Sequence, residues 1–104
     1  MYTMGLKEDF IKPSIHPDFF DVYHIYTIRH PARDEVRKYL MKHDIHTEIH
    51  YPIPPYRQAA IVNEFKSQAY PVSDEIHATT LSLPISYIHT EEDVRFVIEV
   101  LNNF

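Results

Sequence analysis

The sequence predicts an α/β domain of the α+β type, a two-layer sandwich in which helices cover a small, mainly antiparallel sheet of three strands. Two observations carry this prediction. Residues 20–29 and 45–51 are rich in β-branched and aromatic side chains that alternate between two faces, and a short apolar run follows at 81–84. Between and after these runs, apolar residues recur at helical spacing. The predicted order of elements is β-α-β-α-α-β-α.

The first predicted strand, residues 20–29, has the sequence FDVYHIYTIR. Alternation gives each face its own set of side chains: Phe20, Val22, His24, Tyr26 and Ile28 on one, and Tyr23, Ile25, Thr27 and Arg29 on the other. Because both faces are substantially apolar, we expect both to be covered. The face with Ile25 is expected to bury against a second copy of the chain, so we expect a homo-oligomer, most simply a symmetric dimer.

A helix is predicted over 31–43, where one stripe collects Ala32, Val36, Tyr39, Leu40 and His43. Its acidic start and basic end suit the helix dipole. Asp44 is expected to end it, because Asp tolerates the left-handed backbone conformation better than most residues.

The second predicted strand directs Ile45, Thr47, Ile49 and Tyr51 to one face and His46, Glu48 and His50 to the other. The prolines at 52, 54 and 55 should end it. Further helices are predicted around 56–66 and 72–80. A capping box, T-E-E-D from Thr90, begins the last helix, whose apolar stripe is Val94, Val97, Ile98, Leu101 and Phe104.

Composition excludes several classes of protein. The 104 residues are 44% apolar, enough for one core, and the formal charge of −5 without a Lys/Arg-rich window argues against a nucleic-acid partner. Without Cys there is neither a disulfide nor a thiolate zinc site. No apolar run approaches the roughly 20 residues of a membrane span, and no signal peptide is recognised, so we expect no membrane partner and a cytoplasmic location. The single glycine, Gly5, cannot form a glycine-rich phosphate loop.

Three groups of residues could carry chemistry. The HTEIH segment, 46–50, has the spacing of two zinc ligands on a helix, but on a strand its histidines stand roughly 13 Å apart, so we predict no metal site. His24 is either a hydrogen-bonded core histidine or an imidazole directed at a ligand. His50 and Tyr51 precede a proline-rich turn, which either simply ends the strand or presents both side chains at a cleft.

Six segments occur in a characteristic order: VYHIYTIR (22–29), RDEVRKYL (33–40), TEIHYPIP (47–54), FKSQAYPVSD (65–74), LSLPI (81–85) and TEEDV (90–94). Together they resemble the C-terminal domain of the DegT/DnrJ/EryC1/StrS family of sugar-nucleotide aminotransferases. The resemblance extends over nearly the whole chain, from Tyr2 to Phe104. Asp44 departs from it, since the family usually has glycine after this helix.

The resemblance implies a type I pyridoxal-phosphate (PLP) enzyme of two domains. A large domain would hold the Schiff-base lysine and the groups that bind PLP, and the small domain would close over the site and shape the sugar-nucleotide pocket. Residues 1–19 would be the end of an interdomain helix and a linker, and 20–104 the small domain. The missing large domain is thus the expected partner, and the chain itself is expected to hold no catalytic, cofactor-binding or metal-binding residue.

His24, His50 and Tyr51 match the family's substrate-side segments, and the resemblance implies that they lie on the rim of the substrate pocket. The implied reaction is amino-group transfer to a keto-sugar nucleotide in the biosynthesis of cell-surface polysaccharides or related sugars. None of the lysines here matches the family's Schiff-base lysine, so the chain alone should be inactive. Two alternatives stay open: a free-standing binding module or truncated partner subunit, and a His-based metal-binding protein.

Overall fold

Four α-helices and two β-strands form the regular structure of residues 1–66 and 68–104, the part of the chain that the computed structural model describes. Ser67, inside the 65–74 segment quoted above, lies outside the described residues. The elements in chain order are α1 (Tyr2–Gly5), β1 (Tyr26–Arg29), α2 (Arg33–Lys42), α3 (Pro71–Thr79), β2 (Thr80–Leu83) and α4 (Glu91–Asn102), with short 3₁₀ turns at Pro55–Arg57 and Val62–Glu64. None of the helices described has the length and apolar character needed to cross a bilayer.

The two strands pair antiparallel, as predicted, with Thr27 opposite Ser82. The predicted third strand, 45–51, does not form: that segment contacts the sheet through a single antiparallel bridge between Glu48 and Ser82. The left-handed Asp44 (φ 60°) precedes this segment, and prolines, which lack backbone donors, follow it, so little chain is left to pair. The three-stranded sheet and the order β-α-β-α-α-β-α are therefore corrected to two strands with one bridged segment along β2.

The first strand is shorter than predicted, since β1 begins at Tyr26. Tyr23 has φ 49°, which interrupts the extended backbone that alternation requires. Phe20 and Val22 are consequently 90% and 79% exposed instead of buried. The second face of the predicted strand is covered in part from within the chain, because the ring of Tyr23 lies 5.8 Å from that of Tyr26 and packs against the core.

The core lies where the sheet, α2, α4 and the N-terminal segment meet. Its fully buried side chains include Ile28, Leu40 and Leu101. Among the described residues, the buried apolar ones are Tyr2, Leu6, Phe10, Tyr26, Ile28, Val36, Leu40, Ile45, Leu81, Leu83, Val97, Val100 and Leu101. The N-terminal residues belong to this core as much as the sheet does.

Tyr2 fixes the N-terminal segment to the end of β2. Its hydroxyl donates to the carbonyl oxygen of Pro84 at 2.8 Å. Burial, with smaller contributions from Tyr26 and Asp93, raises the pKa of Tyr2 to about 12. The phenol therefore stays neutral and keeps donating this hydrogen bond throughout the physiological pH range.

The helix signals give a mixed result. The capping box is confirmed: the Thr90 hydroxyl accepts from the backbone N–H of Asp93, and the Asp93 carboxylate accepts from the backbone N–H of Thr90. The left-handed Asp44 is confirmed as well. The predicted helix over 56–66 is wrong, because two 3₁₀ turns replace it. Neither turn buries a side chain, so no packing stabilises a longer helix there.

Candidate functional site

The polar face of the sheet carries the best-built cluster of hydrogen-bonding side chains. Antiparallel pairing places Thr27, Ser82 and Glu48 side by side on the face opposite the apolar core residues of β1 and β2. The Ser82 hydroxyl lies 2.9 Å from Nδ1 of His50 and 3.4 Å from the Thr27 hydroxyl. Although 45–51 forms no continuous strand, its alternation persists: Ile45 and Thr47 are buried while Glu48 is exposed.

Tyr51 is held by a second contact, made by its backbone. Nδ1 of His77, on α3, lies 2.5 Å from the carbonyl oxygen of Tyr51 and donates to it, because a carbonyl can only accept. The Tyr51 side chain remains 68% exposed, and its ring meets that of His50 edge to face at 5.5 Å. The peptide bond between the two residues is cis. The pair is thus anchored to both β2 and α3 while the phenol faces solvent.

An open groove of about 570 Å³ runs beside this pair along the start of α3. Its lining is largely apolar and includes Tyr70, Val72, Ile76 and His77. Because His77 also binds the Tyr51 carbonyl, the groove and the His50–Tyr51 pair are neighbours.

A charged cluster stands at the start of α3. The Arg57 guanidinium lies 2.7 Å from the Asp74 carboxylate, and the Tyr56 hydroxyl donates to the same carboxylate. The ring centroids of Tyr56 and Tyr70 lie 4.6 Å apart, with the ring planes tilted by 39°. These contacts tie the first 3₁₀ turn to α3.

The structure does not bring His24 into contact with this pair. It lies two residues before β1, is exposed, and is therefore no core histidine. The register puts Tyr26 beside Leu83, at the end of β2, whereas residues 48–50 run from Ser82 back toward the start of β2. His24 and His50 thus belong to opposite ends of the short sheet.

The HTEIH segment shows no metal arrangement. Nε2 of His46 lies 3.5 Å from the Asp44 carboxylate on the exposed surface, while Nδ1 of His50 faces Ser82. Within 1–66 and 68–104, no three or more histidine or acidic side chains converge as metal ligands.

Sequence analysis missed Ser82 and His77, the two residues that hold the predicted pair. Alternation in LSLP puts Ser82 on the other face of the strand from Leu81 and Leu83. That Ser82 lies on a polar face could therefore have been predicted from the sequence. The partner across the sheet could not, because it depends on which segment lies beside β2.

PLP requires a reactive lysine and groups that bind its phosphate, whereas the single glycine and the two lysines of the N-terminal segment have structural contacts. A Cβ on Gly5 would meet Ile98 at 2.9 Å, so this glycine serves the close packing of α1 on α4. Lys7 pairs with Asp9 at 3.4 Å. The ammonium of Lys12 donates to the carbonyl oxygen of Leu6 at 3.0 Å. These residues organise the N-terminal segment.

The fold is that of an aminotransferase small domain. Superposition on Streptomyces venezuelae DesV, whose structure holds a ketimine intermediate, gives a TM-score of 0.92 at 30% sequence identity, covering 98% of this chain and 28% of that one. A Brucella abortus aminotransferase of the DegT/DnrJ/EryC1/StrS type gives 0.86 at 25% identity, with 98% and 28% coverage.

The chain belongs to the DegT/DnrJ/EryC1/StrS aminotransferase family, whose model matches residues 1–102. It is 36% identical, over 99% of its length, to the dTDP-3-amino-3,6-dideoxy-alpha-D-galactopyranose transaminase of Aneurinibacillus thermoaerophilus. It is 30% identical, over 98%, to the UDP-2-acetamido-2-deoxy-3-oxo-D-glucuronate aminotransferase of Pseudomonas aeruginosa. The chain spans about 28% of the length of each of these two relatives.

Proposed function

We propose that this chain is the C-terminal small domain of a PLP-dependent sugar-nucleotide aminotransferase. The enzyme would transfer an amino group to a keto-sugar nucleotide in the biosynthesis of cell-surface polysaccharides or related sugars. The observation that carries the proposal is the alignment of nearly the whole chain, at 36% identity, with about 28% of a sugar-nucleotide transaminase. The relatives' names differ in both nucleotide and sugar, so we propose the substrate class and no single sugar.

In this proposal residues 20–104 are the small domain, and 1–19 are the end of an interdomain helix and a linker. Tyr2, Leu6 and Phe10 of the N-terminal segment pack into the same core as the sheet, so the helix end proposed for 1–19 would be fixed to the small domain. A large domain outside this chain would be the partner that binds PLP and supplies the Schiff-base lysine.

His24, His50 and Tyr51 are proposed to line the rim of the substrate pocket. Support is strongest for His50 and Tyr51, which are anchored through Ser82 and His77 while the Tyr51 phenol stays open to solvent. A fixed backbone with an open side chain suits binding, because little conformational entropy is lost on contact with a ligand. His24 is exposed but has no comparable anchor among the residues described.

A domain exchange tests the proposed function. Residues 1–104 would replace the aligned segment of the Aneurinibacillus thermoaerophilus transaminase, and amine transfer from its named amino-sugar nucleotide would be measured. We expect a folded chimaera that retains activity, because the segment supplies the matching fold and rim. A folded chimaera without activity, beside an active parent enzyme, would contradict the proposal.

The isolated chain is expected to be catalytically silent. Titration with PLP should give no saturable absorbance band, because none of the chain's lysines matches the family's Schiff-base lysine. The matched variants are Lys38→Arg and Lys42→Arg, since these two lysines line an open groove on α2. A stoichiometric band that borohydride fixes to one lysine would show that the chain binds PLP by itself.

We also propose that the isolated chain self-associates. Ile25 is 39% exposed and follows the more exposed Phe20 and Val22, so apolar surface is concentrated before β1. Ile25→Lys should shift a dimer to monomer in sedimentation without unfolding the chain. Met41→Lys, at a site 47% exposed on α2, is the matched control and should leave the dimer intact. A monomeric unmodified chain at high micromolar concentration would refute self-association.

A further inference from the structure

We propose that Ser82 is a positioning residue that holds the His50 imidazole in the Nε2–H tautomer. The open nitrogen of the ring is then a hydrogen-bond donor for an oxygen atom of the sugar nucleotide. This inference rests on the proposed function, because it assigns the chemistry of one rim residue to a group in the sheet beneath it.

Ser82 is unable to move away from His50. It is 5% exposed, and its backbone exchanges two hydrogen bonds with Glu48, at 2.8 and 3.2 Å. On its other side it pairs with Thr27 in β1. The hydroxyl therefore projects from a fixed point on the polar face, 2.9 Å from Nδ1 of His50.

The tautomer is inferred from where the hydrogen of the Ser82 hydroxyl can point. A serine hydroxyl has one hydrogen to donate, and here it can point to Nδ1 of His50 at 2.9 Å or to the Thr27 hydroxyl at 3.4 Å. The imidazole nitrogen is closer, within the ordinary range for a hydrogen bond, whereas 3.4 Å is long for two hydroxyls. If Nδ1–H donated to Ser82 instead, the serine hydrogen would be left with only the distant Thr27 hydroxyl, so the better arrangement has Ser82 donating and Nδ1 accepting. In a neutral ring the hydrogen is then on Nε2.

The other ring nitrogen is free to meet a ligand. Among the described residues, the only side-chain nitrogen or oxygen that is both buried and without a hydrogen-bond partner is Thr47 Oγ1. Nε2 of His50 is therefore not a buried, unpaired atom. The edge-to-face contact with the Tyr51 ring, at 5.5 Å, restricts the imidazole further. His50 thus offers one donor in a set direction, suited to a hydroxyl or phosphate oxygen.

Nitrogen-15 spectroscopy of the 104-residue chain at pH 8.5, about two units above the ordinary histidine pKa, reports the tautomer directly. We expect His50 to show a protonated Nε2 and an accepting Nδ1. In Ser82→Ala the nitrogen-15 chemical shifts of the His50 ring should move to the values seen for the exposed His24. Ser86→Ala is the matched control, because Ser86 lies 2.8 Å from Nδ1 of His89 on an exposed turn and should alter only His89. A protonated Nδ1 on His50 in the unmodified chain would overturn the proposal, whether or not a variant folds.

The chimaera tests the consequence for binding. Ser82→Ala should raise KM for the amino-sugar nucleotide about fivefold, the effect of one neutral hydrogen bond, and leave kcat within about twofold. Ser86→Ala should change neither. If the acceptor is a phosphate oxygen, inhibition by dTDP alone weakens in parallel; if it is a sugar hydroxyl, only KM rises. An unchanged KM in Ser82→Ala would refute the role.

The two proposals fail in different ways. An active chimaera in which His50 carries its hydrogen on Nδ1 would remove the positioning role and leave the proposed function standing. An inactive chimaera with the expected tautomer would remove the proposed function, and with it the ligand assigned to the donor.

Discussion

The packed half of the molecule, formed by α1, the sheet, α2 and α4, differs from the rim segment, residues 46–57, in how its side chains are held. In the packed half Ile28, Leu40 and Leu101 have no exposed surface. In the rim segment Tyr51 and Ile53 are 68% and 54% exposed, and polar contacts with β2 and α3 fix the backbone instead. Burial stabilises the first region, whereas the second, apart from the buried Thr47 and Pro54, is ordered without being covered, as a binding surface requires.

The largest expected effect is in the packed half. Leu40→Ala should lower the free energy of unfolding by about 3 kcal/mol, because it removes a fully buried side chain and leaves a cavity. Met41→Ala, one residue further on α2 but 47% exposed, should change it by less than about 0.5 kcal/mol. Urea unfolding measures both, and equal losses would mean that the packed half does not carry the stability.

A smaller loss is expected at the start of α4. Thr90→Ala removes the hydroxyl that accepts from the Asp93 backbone, which should cost about 1 kcal/mol. Thr90→Ser keeps the hydroxyl and is the control. Urea unfolding measures the stability of both variants. If Thr90→Ser lost as much stability as Thr90→Ala, the threonine methyl group, and not the capping hydroxyl, would be responsible.

Thr47 should give an opposite sign at the boundary between the two regions. Its hydroxyl is buried and has no partner among the described residues. Thr47→Val keeps the shape and removes the unpaired group, so stability should rise by about 1 kcal/mol. Thr47→Ser keeps the hydroxyl and loses a buried methyl group, so stability should fall. If both variants destabilise, the hydroxyl is satisfied after all.

The smallest expected effect is a pH dependence. The backbone N–H of Thr90, and then its hydroxyl, lower the pKa of Asp93. The stability that this carboxylate contributes is therefore present above the pKa of the unfolded chain and is lost as pH falls through the lower, folded pKa. The urea midpoint of the unmodified chain should fall as pH is lowered, and Asp93→Asn should make this fall shallower. Glu92→Gln changes a residue in the same turn that makes no cap contact, so its midpoint should fall as steeply as that of the unmodified chain. Identical curves would contradict the assignment.

Local signals predicted structure well where the local chain determines it. The capping box at Thr90 and the left-handed Asp44 need only neighbouring residues, and both are present. Elements that depend on distant partners were predicted less well. The strand expected from Phe20 is shortened because Tyr23 turns toward the core, and the helix over 56–66 finds no surface to bury.

The same distinction applies to the candidate site. His50 and Tyr51 could be named from the sequence, since they precede a proline-rich turn within a segment that resembles the family. Ser82 and His77 lie about thirty residues further along the chain and act only through tertiary contact. No local pattern indicates which of the eight histidines meets a serine in the sheet.

The most direct test of the account compares two histidines of the rim segment in the chimaera. His50→Ala should lower kcat/KM about tenfold while the free energy of unfolding of the 104-residue chain falls by no more than about 1 kcal/mol. His46→Ala, four residues away and facing solvent near Asp44, should alter neither. Equal kcat/KM in the two variants, or a loss in His50→Ala explained wholly by unfolding, would contradict the division between a packed half that stabilises and a rim that binds.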